Sequence, residues 1–375
     1  MPSPVDNLAP ALVQTFVVVL LGYWSGRSSG FSDGAKFGME YFVTRITLPA
    51  LFFLGVARLD FSNVNWAFFF AVLVAKSFVF VVVVVLTIFS TGGESRSCAY
   101  LLAGIRGLFV TLQNDFALGL PLFQALYGDT HPTYITLIYL AAPINICVLN
   151  PLAIFLLELG QPEEGDDIAS EGEVHPLGWR SEEEDAVTGG GAREGSLQGR
   201  GPEEAGLAAP LLRRVSSSSG SENGGSDSDL PSLIPLPLAQ KVLMVLKNLA
   251  TTPVLFVVPL ALVANFAFEQ KVPTIIAAPL EVMGDGYTCA ALFAVGLSMS
   301  TQSQSKSDPP VEERDVIMAF LLIFTKVIAL PTVALVIFML LDDDKEMAIA
   351  VFIYGTFPTA PSVTVFASNY GISTK

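Results

Sequence analysis

The chain predicts an all-α polytopic membrane protein with an inverted-repeat architecture of the kind used by secondary transporters, and three observations carry that prediction. Its 375 residues are 52 % hydrophobic and only 15 % charged, with a mean hydropathy of +0.57, an apolar excess foreign to soluble domains. Nine apolar segments fall at about 8–24, 36–57, 65–89, 98–127, 134–157, 240–268, 274–300, 315–341 and 347–370, each near the roughly 20 residues a bilayer demands. The fourth and ninth are interrupted by Gly and Pro at matching places in the two halves, the sequence pointer to an inverted repeat.

Taken in order, the start Met1-Pro2-Ser3-Pro4-Val5-Asp6-Asn7 lacks a basic n-region, so segment one reads as a retained span. Segment two holds Arg45 and segment three Lys76, close to mid-span. Segment four contains Asn114, Asp115, Gly119 and Pro121 at membrane depth, poor material for a continuous helix in lipid because Pro121 removes a backbone donor. Non-helical backbone there survives only inside protein or beside a watery cavity, so this segment is expected to face a site. Segment five carries Asn145 and Asn150, which read either as hydrogen-bonded packing groups or as site groups. Segment eight repeats the mid-span lysine as Lys326, and segment nine repeats the interruption in Gly355-Thr356-Phe357-Pro358-Thr359-Ala360-Pro361-Ser362. The expected organisation is a first membrane repeat over 1–157 (helices one to five), a disordered acidic cytosolic loop over 158–238, and a second repeat over 239–375 (helices six to nine). Five spans per half invert the repeat; the second half supplies four, so the tenth helix of a 5+5 plan is missing and the chain reads as a fragment or an incomplete isoform.

The formal charge of −15 belongs to the loop. Residues 158–238 hold 17 acidic and 5 basic side chains, a net of −12, which leaves −3 elsewhere. Rich in Gly, Glu, Ser and Pro, they bury too little apolar surface to offset ordering entropy. With the N-terminus non-cytoplasmic, short cytoplasmic stretches hold Arg27, Lys36, Arg96, Lys306, Arg314 and Lys375 against Arg58, Lys271 and Lys345 opposite, and six against three satisfies the positive-inside rule. The loop is then cytosolic. In it Arg213-Arg214-Val215-Ser216 fits a basophilic kinase site at Ser216, and Asp229 followed by Leu233-Ile234 fits an acidic dileucine sorting signal; both patterns are short enough to arise by chance, and a solvated linker is the favoured reading.

Counting helical rise from the cytoplasmic ends puts Lys76 and Asp115 both about 20 Å deep. A charge at that depth needs a partner, so Asp115 is expected to meet Lys76 or the interruption of segment nine, as a structural ion pair or as part of a substrate site. Arg45, Lys76 and Lys326 supply positive charge at depth and Asp115, Glu281 and Asp285 negative. Half-helix N-termini add partial positive charge, which suits a small organic anion. The stretch Leu21-Gly22-Tyr23-Trp24-Ser25-Gly26-Arg27 matches a short sterol-contact pattern, although from the residues alone an interfacial aromatic belt with a snorkelling arginine is the favoured reading. Cys98, Cys147 and Cys289 lie in apolar segments without metal spacing and read as small core residues. There is no nucleophile beside a base, no metal cluster and no phosphate loop. A non-enzyme without cofactor or metal is expected.

The motifs Leu21-Gly22-Tyr23, Arg45-Ile46-Thr47-Leu48-Pro49, Ala75-Lys76, Asn114-Asp115-Phe116-Ala117-Leu118-Gly119, Leu149-Asn150-Pro151 and Tyr354-Gly355-Thr356-Phe357-Pro358-Thr359-Ala360-Pro361 resemble the PIN-like, auxin efflux carrier superfamily, and within it the transporter-like domain of an animal lysosomal sterol-signalling branch. The resemblance implies a fold similar to bile-acid and sodium/proton antiporters, with crossed broken helices four and nine and separate scaffold and transport parts. It also implies cholesterol binding in the lysosomal membrane through Pro10, Tyr23 and Arg27, with output to cytosolic TOR-pathway regulators. Phe357 joins that set if the sterol lies between segments one and nine. Two further readings stand beside the sensor: a carrier of a small organic anion, working through Asn114, Asp115, Pro121, Lys76, Asn145, Asn150, Lys326, Pro358 and Pro361, and an interaction scaffold using the phosphorylatable loop. No nucleic-acid partner is expected, and self-association stays open.

Overall fold

The computed structural model describes residues 4–28, 32–91, 95–161, 253–302 and 313–372. The loop motifs at Ser216, Asp229, Leu233 and Ile234 lie outside the described residues, as does the start of segment six. Among the described residues the chain is helical throughout, with a single isolated antiparallel bridge between Gln113 and Thr359.

Side-chain caps explain where several helices begin. Asn65 accepts from Phe68 N at 3.1 Å to open α4 (Trp66–Ser90), and Ser95 accepts from Cys98 N at 3.3 Å to open α5 (Arg96–Thr111). Each satisfies an amide that the first helical turn leaves bare. The remaining elements are α1 (Pro4–Arg27), α2 (Asp33–Phe42), α3 (Leu48–Ala57), α6 (Leu120–Tyr127), α7 (Pro132–Ile144), α8 (Asn150–Leu159), α9 (Pro253–Ala267), α10 (Thr274–Asp285), α11 (Tyr287–Gln302), α12 (Glu313–Phe324), α13 (Leu330–Leu341), α14 (Lys345–Gly355) and α15 (Ser362–Asn369).

Prolines shape the spans from within. Four π-turns, Val43–Thr47, Asp115–Gly119, Asn145–Leu149 and Thr325–Ala329, each run into a helix with proline at its second position: Pro49, Pro121, Pro151 and Pro331. In every case the residue before the proline donates to the carbonyl five residues back. Proline cannot donate and its ring crowds the carbonyl four residues earlier, so the helix widens by one residue. Each widened turn carries one of the polar residues of the apolar segments: Arg45, Asp115, Asn145 and Lys326.

Among the described residues six helices are long and apolar enough to cross a membrane: Asn7–Arg27, Gly34–Ala57, Trp66–Ser90, Pro132–Leu159, Thr274–Ser300 and Glu313–Leu341. Segments four and nine fall short because each is in two pieces, and Leu255–Ala267 is a shorter apolar helix. Helix α1 packs along α11 and against α6, while α3 lies between α9 and α10. The α1–α11 seam is backbone-close: a Cβ on Gly22 would overlap the Phe293 carbonyl, and one on Gly296 the Val19 carbonyl. A second set joins α4 to α5 and α13, α5 to α8, and α13 to α14. One buried cluster runs through both sets, from Phe52 and Phe68 to Ile138, Tyr287, Phe338 and Tyr354. Two cysteines depart from the core reading: Cys147 and Cys289 are exposed on apolar helices, where a membrane makes apolar surface the rule, while Cys98 is half-buried.

Candidate functional site

The two interruptions meet. The Asn114 amide donates to the Pro358 carbonyl at 2.9 Å and the Ala360 amide to the Leu112 carbonyl at 3.0 Å, a short antiparallel clasp. The Thr359 hydroxyl adds a bond to the Phe109 carbonyl at 2.7 Å. The Gln113 side chain donates to the carbonyls of Tyr354 and Gly355 at 2.8 and 3.0 Å, taking up acceptors at the end of α14. Backbone freed by one broken helix is thus satisfied by the other, as burial requires. Asn114 also caps the turn that follows, accepting from Ala117 N at 3.3 Å. The helical chain resumes directly after both interruptions, so two N-terminal ends start at the clasp, a partly positive neighbourhood.

Lys76 comes to this point from α4, 1 % exposed. Its Nζ donates to the Tyr354 hydroxyl at 2.9 Å and lies 4.8 Å from the centre of that ring. It also reaches Asn145. Either amide orientation of Asn145 accepts from Lys76, at 3.3 or 3.2 Å; the amide nitrogen then faces Asp115 Oδ2 at 3.5 Å or the Thr111 carbonyl at 3.3 Å. Asp115 and Lys76 form no direct ion pair; Asn145 links them in the first orientation and ties Lys76 to the Thr111 carbonyl in the second. Asp115 is 5 % exposed, and its Oδ1 has no hydrogen-bond partner among the described residues. Lys326, 4 % exposed, lies within electrostatic reach of both, and its Nζ is likewise unpartnered. A void with room for roughly one water adjoins Lys76, Gln113, Leu330 and Tyr354. Beside Asp115, the Phe116 ring is enclosed by Phe52, Tyr139 and Tyr287 at centroid distances of 5.6, 5.4 and 6.3 Å.

Of the other residues singled out in the sequence, Pro121 is half-buried behind the widened turn, Pro358 is exposed with its carbonyl in the clasp, and Pro361 precedes α15. Asn150 is half-buried, and its Oδ1 has no hydrogen-bond partner among the described residues. Tyr23 and Arg27 are brought together, the guanidinium donating to the Tyr23 hydroxyl at 3.2 Å, at the end of an α1 face whose Val13, Phe16, Leu20 and Trp24 are all exposed. Pro10 is exposed on the same helix. Phe357 does not join them: it is buried, edge-on to Phe123 and tilted against Tyr354. Gln113, Tyr354 and Thr359 are site residues that sequence reasoning did not select, although Gln113 and Thr359 sit inside the interruptions and Tyr354 borders one.

A profile described as membrane transport protein matches residues 8–375. Among curated proteins, the lysosomal cholesterol signaling protein of Mus musculus is 28 % identical over 378 residues, an alignment that covers 99 % of this chain and 35 % of the relative. The chain thus spans about a third of the length of the curated relative it matches.

Proposed function

The chain belongs to the membrane transport protein family, the PIN-like relatives of auxin efflux carriers, and from that premise we propose that it is a cholesterol-binding sensor of the lysosomal membrane built on an inverted-repeat transporter fold. In this reading sterol lies along the outer face of α1, and the sterol state is passed to the TOR nutrient pathway through parts of a longer protein. The observation that carries it is the Tyr23–Arg27 pair. It is a polar pair at the end of an exposed apolar helix face, which matches a molecule with one hydroxyl and a rigid apolar body. Similarity to a protein named for cholesterol signalling supports the same reading. The test is photo-crosslinking of a sterol probe to the purified protein, wild type against Tyr23→Ala and Asp115→Asn. Labelling that cholesterol competes and that only Tyr23→Ala abolishes supports the sensor; labelling indifferent to Tyr23→Ala sinks the α1 site.

A second reading is favoured by the clasp. Two buried amines, one buried carboxylate and two helix starts at mid-membrane suit a carrier of a small organic anion such as an aromatic carboxylate. Uptake of such an anion into proteoliposomes, lost with Asp115→Asn and unaffected by Tyr23→Ala, is its expected signature.

A further inference from the structure

Three ionisable side chains meet at the clasp, and they are not equally served. Lys76 has the Tyr354 hydroxyl and Asn145 as hydrogen-bond partners. Asp115 has Asn145 within reach in one amide orientation. Lys326 is buried and its Nζ has no partner among the described residues. The groups that act on it electrostatically are Lys76 on α4 and Asp115 at the clasp. Of the elements packed against its turn, α13 carries no charged residue, α12 carries Glu313, Arg314 and Asp315 only at its far end, and α5 carries Arg96, exposed at its first residue, and Arg106, which is engaged in its own interaction.

With all three groups charged, two amines and one carboxylate leave one positive charge unbalanced in a place closed to water. Isolated charge in such a place is strongly unfavourable, and it is relieved either by loss of a proton or by arrival of a counter-charge. Lys76 and Asp115 already act on each other as opposite charges, so the group free to change is the unpartnered one. We propose that Lys326 takes up one proton when a monovalent organic anion enters the clasp, so that anion and proton occupy the site together and leave it together. Charge balances on both sides of the step: the anion brings one negative charge and the ammonium formed at Lys326 one positive. This rests on the carrier reading above and names its coupling ion.

The test uses the full chain in nanodiscs and indole-3-acetate as the probe, a small aromatic carboxylate that is ionised throughout the range used. Titration calorimetry in two buffers of different ionisation enthalpy reads the protons exchanged per probe bound, between pH 6 and 9. Wild type is expected to take up about one proton, and its affinity to weaken toward high pH by up to about tenfold per pH unit. Lys326→Arg, whose guanidinium stays charged, is expected to bind the probe with no proton uptake and no such pH dependence. Lys326→Met is expected to bind at least tenfold more weakly, again without proton exchange; should that variant fail to fold, Lys326→Arg decides alone. Proton uptake that persists in Lys326→Arg overturns the proposal, as does wild-type binding without proton exchange, and neither result touches the carrier reading. Wild type that binds no probe at any pH overturns both.

Discussion

The ammonium of Lys76 donates to the hydroxyl of Tyr354 across 2.9 Å, tying the third membrane segment to the residue that precedes the break in the ninth. It is the shortest polar link that Lys76 makes, and it is fully enclosed. Four expectations follow from it and from its surroundings.

Tyr354→Phe keeps the ring contacts with Phe68 and Phe357 and removes the hydroxyl alone. Lys76 is then left with Asn145. Loss of a buried partner to a charged group costs about 1–3 kcal/mol, so thermal unfolding in detergent is expected to shift down by roughly 2–8 °C. An unchanged midpoint would show that the hydroxyl contributes nothing.

Lys76→Met removes a buried amine and leaves Asp115 without its counter-charge, a loss on the order of 3–5 kcal/mol. Adding Asp115→Asn to that variant is expected to restore part of the stability, because neither charge is then stranded. A double-mutant cycle reads the coupling, expected at about 0.5–3 kcal/mol; additive losses would mean that the two side chains do not act on each other.

Gly119→Ala places a Cβ onto the ring of Phe357. In a packed interior such overlap costs about 1–3 kcal/mol. The paired change Gly119→Ala with Phe357→Leu is expected to recover much of it, and a stable single variant would place the strain elsewhere.

Outside the spans, Asp342 accepts from Asn65 Nδ2 at 2.8 Å and from the Asp344 amide at 3.1 Å. The Asn65 side chain, and after it the backbone amides, hold the Asp342 carboxyl below the usual carboxylate range. A depressed value in the folded state means that its contribution is present above the unfolded value and is lost as pH falls through the folded one. Asn65→Ala is therefore expected to flatten the fall in melting temperature between about pH 5 and pH 2. An acid limb identical to wild type would remove Asp342 from the pH response.

Much of the fold was legible without coordinates because lipid imposes a simple rule. A segment must be long, apolar and helical, and every exception is a polar residue or a proline that stands out against that background. Asp115, Lys76 and Lys326 were visible as charges in apolar runs, and both interruptions were visible as Gly and Pro clusters. Gln113, Tyr354 and Thr359 were not, since a glutamine, a tyrosine and a threonine near a helix break are ordinary until their partners are known. Cys147 and Cys289 were misjudged for a related reason: hydropathy does not separate the inward from the outward face of a helix when both are apolar.

By itself the chain determined the class of protein, the positions of most of its helices and the places where helices break, because each depends on local composition measured against a fixed bilayer thickness. Only the tertiary structure decided that the two breaks satisfy one another's backbone, that Lys76 binds Tyr354 and Asn145 instead of pairing directly with Asp115, and that the Lys326 Nζ has no hydrogen-bond partner among the described residues. Those are relations across some 30 to 280 positions of sequence, and they are set by which helix faces pack together, a choice that no stretch of the chain encodes alone.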